Sequence, residues 1–332
     1  MLRTELHHNM DAFVRLEGEW DALAGRSMTD TPFQTWAYQR AWWRHLGPGD
    51  LHTIAVRRET GELAGIASFY LVEGVIYFNG CVEETDYLDL IAPAADAEAV
   101  WMAVMDCLHS DEFPVWRAMD LCNVPAESPT RTILPQLAAS RGLSFTTHVH
   151  EVCPVIELPD SFDAYLESLD KKQRHELRRK LRRAEGAEVD IYTVGADANL
   201  TAEVDDFLAL LQKSTPEKHA WLNEARRAVF QETAAAGLAA HSLQLLFLRI
   251  EGQKAAALFN FAYKKRIWVY NSGLDPDNFS WLSAGVVLTA RAIEQAIAQG
   301  YATFDFLRGN EEYKYRFGAK DTFIYRLHVE RD

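Results

Sequence analysis

LQLLFLRIEGQKAAALFNFAYKKRIWVYNSG, residues 243–273, is three runs of β-favouring residues divided by a turn at EGQK and a break at YKKR. Short connections of this kind join antiparallel neighbours, so the stretch predicts a three-stranded meander. LHTIAVRRETGELAGIASFYLVEGVIYFNG, residues 51–80, has the same three runs and begins 192 residues earlier. A helical pattern and a further strand follow each meander: AEAVWMAVMDCLH and WRAMDL after the first, SAGVVLTARAIEQAIAQG and ATFDFL after the second. Helical material also precedes each, in DAFVRLEGEWDALAG and FQTWAYQRAWWRHLG, then in VDDFLALLQKS and WLNEARRAVFQETAAAG. One mixed α/β half-fold, duplicated in tandem, accounts for the repeat. The boundary is expected near EVCPVIELPDS, residues 151–161, where two prolines flank a strand-like run, giving domains 1–152 and 153–332.

The 332 residues suit two domains, and 48% hydrophobic with 25% charged residues suits a chain that buries a substantial core. A formal charge of −14 opposes DNA and anionic surfaces unless positive charge is concentrated locally. Cys81, Cys107, Cys122 and Cys153 are widely spaced with no C-x-x-C pair, which predicts reduced structural thiols and no zinc site. No signal-like apolar core opens the chain and no run approaches a membrane span, so a cytoplasmic enzyme or binding protein is expected.

Three segments hold groups that can do chemistry. Ser283-Ala284-Gly285 opens the helix after the second meander, with Ser283 as the expected N-cap. Small residues there either permit close helix–sheet packing or let a phosphate reach free N–H groups. DKKQRHELRRKLRRAEG, residues 170–186, is a helix bounded by a capping box at Asp170 and Gln173 and by Gly186. Eight Lys or Arg against one Glu over residues 171–183 give that helix +7, and −14 less +7 leaves −21 on the remainder. Arg174, Arg178 and Arg182 form one i, i+4 row whose mutual repulsion calls for an anion, on an acidic partner protein or elsewhere in the fold. FDFLRGNEEYKYRFG, residues 304–318, crowds titratable groups after a buried strand. It reads either as an exposed charged helix or as a reaction site. Tyr313 is then a weak acid, Lys314 and Arg308 the groups that neutralise a phosphate or oxyanion, and Asp305 faces away from Phe304 and Phe306. The matching segment of the first repeat, MDLCNVPAESP, lacks the Tyr-Lys-Tyr-Arg run, which favours chemistry in the second.

The basic helix with the following EVDIYTV strand, the YNSGLDPD strand end and FDFLRGNEEYKYRFG, in this order, resemble the GNAT acyltransferase superfamily in its tandem form. The likeness is greatest to the CelD-like acetyltransferases and extends to the FemAB-like aminoacyltransferases. The resemblance implies direct attack of an amine on a thioester, with acyl-CoA as cosubstrate, no tightly bound cofactor and a small-molecule or peptide acceptor. Aminoacyl-tRNA is the alternative donor, and a non-catalytic scaffold using the basic helix is a further reading. It also implies an oxyanion donor within Trp268–Ser272, which brings in Tyr270 and Ser272, and a leaving-group acid at Tyr313, with Tyr315 second. Lys314 stands where tRNA-dependent relatives carry a lysine. Asp305 or Glu312 would accept the amine proton. In the pyrophosphate turn only Gly285 fits the GNAT pattern, Ser280 and Ser283 replacing its other residues, and Ser283, Ala284, Gly285, Arg308, Arg174 and Arg178 are the expected donor-binding residues. The first domain would bind the acceptor or support the second.

Overall fold

The computed structural model describes residues 2–81 and 84–331. The chain divides into two compact units, residues 1–152 with 323–332, and residues 153–322. Unit 1 runs β1 (Leu2–His8), α1 (Asp11–Arg15), α2 (Glu17–Ala24), α3 (Trp36–Leu46), the meander β2 (Asp50–Arg58), β3 (Leu63–Val72) and β4 (Val75–Phe78), α4 (Ala97–Leu108), β5 (Ala118–Pro125) and α5 (Thr130–Ser140), then enters β6 (Ser144–Glu157). Unit 2 takes the end of β6 and continues with α6 (Phe162–Ser168), α7 (Lys171–Glu185), β7 (Val189–Thr193), α8 (Leu200–Ser214), α9 (Pro216–Trp221) and α10 (Glu224–Ala239). The second meander follows as β8 (Leu243–Ile250), β9 (Gln253–Tyr263) and β10 (Arg266–Leu274), then α11 (Pro276–Phe279), α12 (Ala284–Ala298), β11 (Thr303–Asp305), α13 (Glu312–Arg316) and β12 (Lys320–Glu330).

Strand order makes the duplication explicit. Unit 1 reads β1-β2-β3-β4-β5-β12, and unit 2 reads β7-β8-β9-β10-β11-β6, with the fourth and fifth strands parallel in each and the other pairs described antiparallel. The closing strand of unit 1 is therefore drawn from the end of the chain. Residues 323–332, placed with the second domain by sequence, belong to unit 1, because β12 pairs with β5 from Ile324↔Pro125 to Glu330↔Ala118. The hairpins turn at Glu73-Gly74, Glu251-Gly252 and Lys264-Lys265, all at positive φ, the geometry that matches the strands' twist.

In unit 2 the meander is covered on both faces. α12 buries Val287, Leu288, Ala290, Ile293 and Ile297 against Leu246, Leu258, Ile267 and Val269, and α7 adds Leu177, Leu181 and Ala184. Phe207 of α8 and Phe230 of α10 meet Phe259 and each other at ring separations of 5.3–5.5 Å, and Tyr270 joins them through Phe230 and Phe259. Burying about ten such side chains stabilises by roughly 1.5–3 kcal/mol each before chain entropy is subtracted.

The cysteine expectation needs correction. Cys81 and Cys122 are joined by a disulfide, since β5 and the turn after β4 bring their Cα atoms to 6.0 Å, while Cys107 and Cys153 are buried outside that disulfide. Among the described residues no helix is long and apolar enough to cross a membrane, and no cluster of His, Cys, Asp or Glu could hold a metal.

Candidate functional site

β11 ends at Asp305, opposite Trp268, whereas β10 runs on to Leu274. Past Trp268 the parallel partner is lost, and a bulge between Val269 and Asn271 bends β10 away. The opening is a cleft of about 400 Å³ lined by Ala257, Leu258, Val269, Ser272, Phe279, Ser283 to Val286, Leu288, Thr289, Phe306, Tyr313 and Phe317, side chains that are mainly apolar. Gly273 must be glycine here: a Cβ would lie 2.6 Å from the Leu211 backbone nitrogen, so β10 and α8 could not approach as closely as they do. A second cleft of about 310 Å³ lies between α7 and α13 and shares Val286, Tyr313 and Phe317 with the first.

Tyr313 thus stands where both clefts meet. Its ring packs edge-on against Phe306, and its hydroxyl has no hydrogen-bond partner among the described residues. The ring is 39% exposed, yet loss of solvent at the concave junction, reinforced by the Glu311 charge, raises its pKa above the ordinary tyrosine value. The hydroxyl stays protonated at neutral pH and can donate. Tyr315, the second choice, is turned elsewhere: it donates to Asp321 at 2.7 Å, a bond that pushes its pKa to about 12, and it lines neither cleft.

The turn carrying Tyr313 is built by its charged neighbours. Asp305 is fully buried, not turned out to solvent: it accepts the Leu307 N–H at 2.8 Å and pairs with Arg266 at 3.3 Å. That contact holds Leu307 at φ +57°, a left-handed conformation leucine seldom takes. Lys314 is 2% exposed, and its ammonium donates to the carbonyls of Leu307 (3.2 Å), Arg308 (2.6 Å) and Gly309 (3.0 Å) and pairs with Glu311 at 2.9 Å. All three protons are thereby engaged within the turn. Arg308 is half-buried and lines neither cleft. Glu312 is exposed, lines the smaller cleft and pairs with Arg316 at 2.8 Å.

Ser283 occupies the N-cap position of α12 but in left-handed geometry, φ +56°, and its side chain caps nothing; the carbonyl instead accepts the Val286 and Val287 N–H groups. Ser283, Ala284 and Gly285 line the larger cleft together, and the position of a Cβ on Gly285 meets only Leu274, at 3.8 Å. Ser272 lines it too, while the Tyr270 ring is committed to the aromatic cluster with Phe230, Phe259 and Phe261.

Lys218 of α9 was not legible as a site residue. Its ammonium donates at 2.6 Å to the carbonyl of Ser272, a residue that lines the larger cleft. Burial lowers its pKa to about 8, with Glu311 pulling upward and Lys314 downward. The only local signal was a lysine in the first turns after Thr215-Pro216, which caps α9 but says nothing of where the side chain ends.

The cap and stripe of α7 are as expected: Asp170 accepts the Gln173 N–H, and Leu177, Leu181 and Ala184 are buried. Its cleft-facing row is different. Lys172, Gln173, Glu176 and Lys180 line the smaller cleft, with Glu176 and Lys180 paired at 3.0 Å, whereas Arg174 and Arg178 line neither cleft. Burial of the leucine stripe fixes the rotation of the helix and carries the Arg174/Arg178/Arg182 row away from the site; Arg174 donates to the Glu167 carbonyl and Arg182 to that of Arg178.

The notch left where the parallel pair of β10 and β11 ends, beside the start of α12 and with Tyr313 at its mouth, is the candidate site. Residues 171–315 match the acetyltransferase (GNAT) domain family, so unit 2 carries a transferase domain, and the chain has the GNAT-superfamily fold in a tandem, FemAB-like form. Its fold is similar to that of FemX, at 12% identity and TM-score 0.67, covering 93% of this chain and 95% of that one. L-PGS from Bacillus licheniformis is similar at 10% identity and TM-score 0.60, with 95% and 91% covered. A conserved protein from Bacteroides thetaiotaomicron VPI-5482 gives 12% identity and TM-score 0.64, with 95% and 97% covered. No curated protein matches the sequence.

Proposed function

We propose that the chain moves an acyl group from acyl-CoA to an amine by direct attack on the thioester. The observation that carries the reading is Tyr313, a protonated hydroxyl without a partner at the junction of an apolar cleft and a polar one. In this reading the apolar cleft takes the thioester arm and the smaller, mixed-charge cleft takes the acceptor. The amine attacks the carbonyl carbon, backbone N–H groups within Trp268–Ser272 stabilise the oxyanion, and Tyr313 gives its proton to the leaving thiolate. Glu312 lines the acceptor cleft and takes the amine proton, through water. Asp305 and Lys314 position the turn without touching substrate, and Ser283 to Gly285 line the donor path. Unit 1 supports the catalytic unit.

The test is thiol release from a panel of acyl-CoA thioesters with and without amine acceptors. Amine-dependent release that falls at least a hundredfold in Tyr313→Phe supports the proposal; no release from any thioester, together with no ligand-induced shift in melting, overturns it. A second reading, aminoacyl-tRNA as donor, is favoured by one observation: Lys171, Lys172, Arg178 and Arg179 form no ion pair among the described residues. Binding of tRNA at low salt with a steep salt dependence would move the assignment to that donor.

A further inference from the structure

Where β11 ends, backbone groups of β10 that would have met a parallel neighbour are held by side chains instead. The Leu274 N–H donates to Ser214 Oγ of α8 at 2.9 Å. Two residues earlier both groups of Ser272 are engaged: its carbonyl accepts from Lys218 Nζ of α9 at 2.6 Å, and its N–H donates to Oδ1 of Asn271 at 2.9 Å. These partners differ in how they are anchored. Ser214 and Lys218 belong to helices, whereas the Asn271 carboxamide belongs to the strand itself and leaves the N–H by rotating its own side chain. Ser272 lines the larger cleft and Asn271 does not. A carboxamide oxygen thus sits on a cleft N–H at the distance, about 2.7–3.1 Å, at which an oxyanion is held. Lys218 has no ion pair among the described residues, and both side-chain contacts of its ammonium go to Ser272, the second to the hydroxyl at 3.5 Å. Lys314 is spent on three carbonyls and Glu311, so Lys218 is the cation that fixes the strand.

We propose that Lys218 and Asn271 are positioning residues of the transfer: Lys218 fixes Ser272 by its carbonyl so that its N–H serves the notch, and Asn271 occupies that N–H until the thioester oxygen displaces it. The inference rests on the acyl-transfer reading and assigns, within Trp268–Ser272, the N–H that acts and the two side chains that prepare it. Asn271 keeps the donor satisfied in the empty cleft, where an unpaired N–H is costly. The exchange is of one oxygen for another, so the donor needs no reorientation when negative charge develops.

Steady-state thiol release by the full chain, with acetyl-CoA and longer acyl-CoA thioesters as probes, tests it through kcat and KM taken separately. Lys218→Met should lower kcat about 10²-fold and leave KM for the thioester within about twofold, because a misplaced donor affects the transition state more than the ground state. Lys218→Arg, which keeps the charge and the donor, should recover kcat to within about tenfold of wild type. The two substitutions of Asn271 should act in opposite directions. Asn271→Ala removes the competing oxygen and should lower KM by about two- to fivefold with kcat kept, whereas Asn271→Asp sets a carboxylate on the N–H and should lower kcat at least about tenfold. Equal losses in the two Asn271 variants would reduce Asn271 to a structural cap and overturn the exchange. Unchanged kcat in Lys218→Met overturns the role of Lys218; if that variant fails to fold, Lys218→Arg decides, and a loss there as deep as in Tyr313→Phe counts against it. If Tyr313→Phe loses turnover while the Lys218 and Asn271 variants match wild type, the positioning falls and the transferase reading stands. If the wild type releases thiol from no thioester, both fall.

Discussion

Units 1 and 2 run the same strand order and then treat the same opening in opposite ways. In unit 1 the parallel pairing of β4 and β5 covers Val75↔Ala118 and Ile76↔Met119, and the chain after β4 fills the space beyond. Leu88 donates to the Asn123 carbonyl of β5, Asn123 donates to the Thr85 carbonyl, and Ile91 exchanges backbone bonds with Ile66 of β3. Asp89 anchors the filling: its buried carboxyl accepts from Thr29 (2.8 Å), Thr130 (2.6 Å), Ser128 and the Leu90 N–H (2.8 Å). In unit 2 the corresponding opening beside β10 is a cleft with Tyr313 at its rim. The difference teaches that the scaffold offers a notch wherever a parallel pair ends, and that local side chains decide whether the notch is structure or site.

The sharpest way to break this comparison is at Tyr313. Tyr313→Phe removes the donor and keeps the ring against Phe306, so turnover should fall about 10²-fold or more with KM little changed. Tyr315→Phe, which loses only the exposed bond to Asp321, should stay within about twofold of wild type. Equal effects of the two substitutions would remove Tyr313 from the chemistry.

Unit 1 should respond in stability, not turnover. Asp89→Ala strips the acceptor from three hydroxyls and one N–H in a dry site, and should cost about 3 kcal/mol in denaturant unfolding while turnover per folded molecule is kept. A comparable loss of turnover would mean that the filled opening also serves the reaction.

Lys218 gives a pH-dependent contrast. Its folded pKa of about 8 lies below the ordinary lysine value of 10.5. Between those values the unfolded chain holds a proton that the fold does not, so stability rises with pH across this window. Below about pH 8 both states are protonated and the penalty is constant. Lys218→Met should abolish the rise, a difference on the order of 1–3 kcal/mol between pH 7.5 and 10.5 in thermal melts. An identical slope in both proteins would show that Lys218 is not the group responsible.

Local chemistry explains what could be read in advance. Turn residues, β-favouring runs and the apolar stripe of α12 act over a few positions, so the meanders, the helix after each and the caps of α7 were legible in the sequence. What depends on long-range packing was not. The closing strand of unit 1 comes from the far end of the chain, and Lys218 meets Ser272 from a different helix, 54 residues away. For Asp305, alternation along a three-residue strand misled, because Arg266 and the Leu307 N–H compensate a buried carboxylate that an isolated strand would turn outward. Lys314 stands out in the sequence by its charged surroundings as a group for a phosphate or oxyanion, whereas its bonds to three carbonyls show a turn-holding role that no spacing encodes. The first β-strand, Leu2–His8, gave no turn signal and emerges only through its register with β2.

The smallest expected effect separates folding from binding on α7. Arg178 is exposed, stands one turn from both Arg174 and Arg182, and forms no ion pair among the described residues. In the free protein these like charges oppose the helix by a few tenths of a kcal/mol per pair. Arg178→Glu converts both repulsions into attractions, so at low salt the protein should become more stable by about 0.5 kcal/mol, and the gain should vanish as salt screens the row. Binding of a polyanionic donor should weaken in the same variant. Opposite signs for stability and binding are the signature of a cationic surface kept for a ligand, because a row kept for the fold would lose stability when reversed. A fall in melting temperature on Arg178→Glu would show that the arginine already has its counter-charge within the protein.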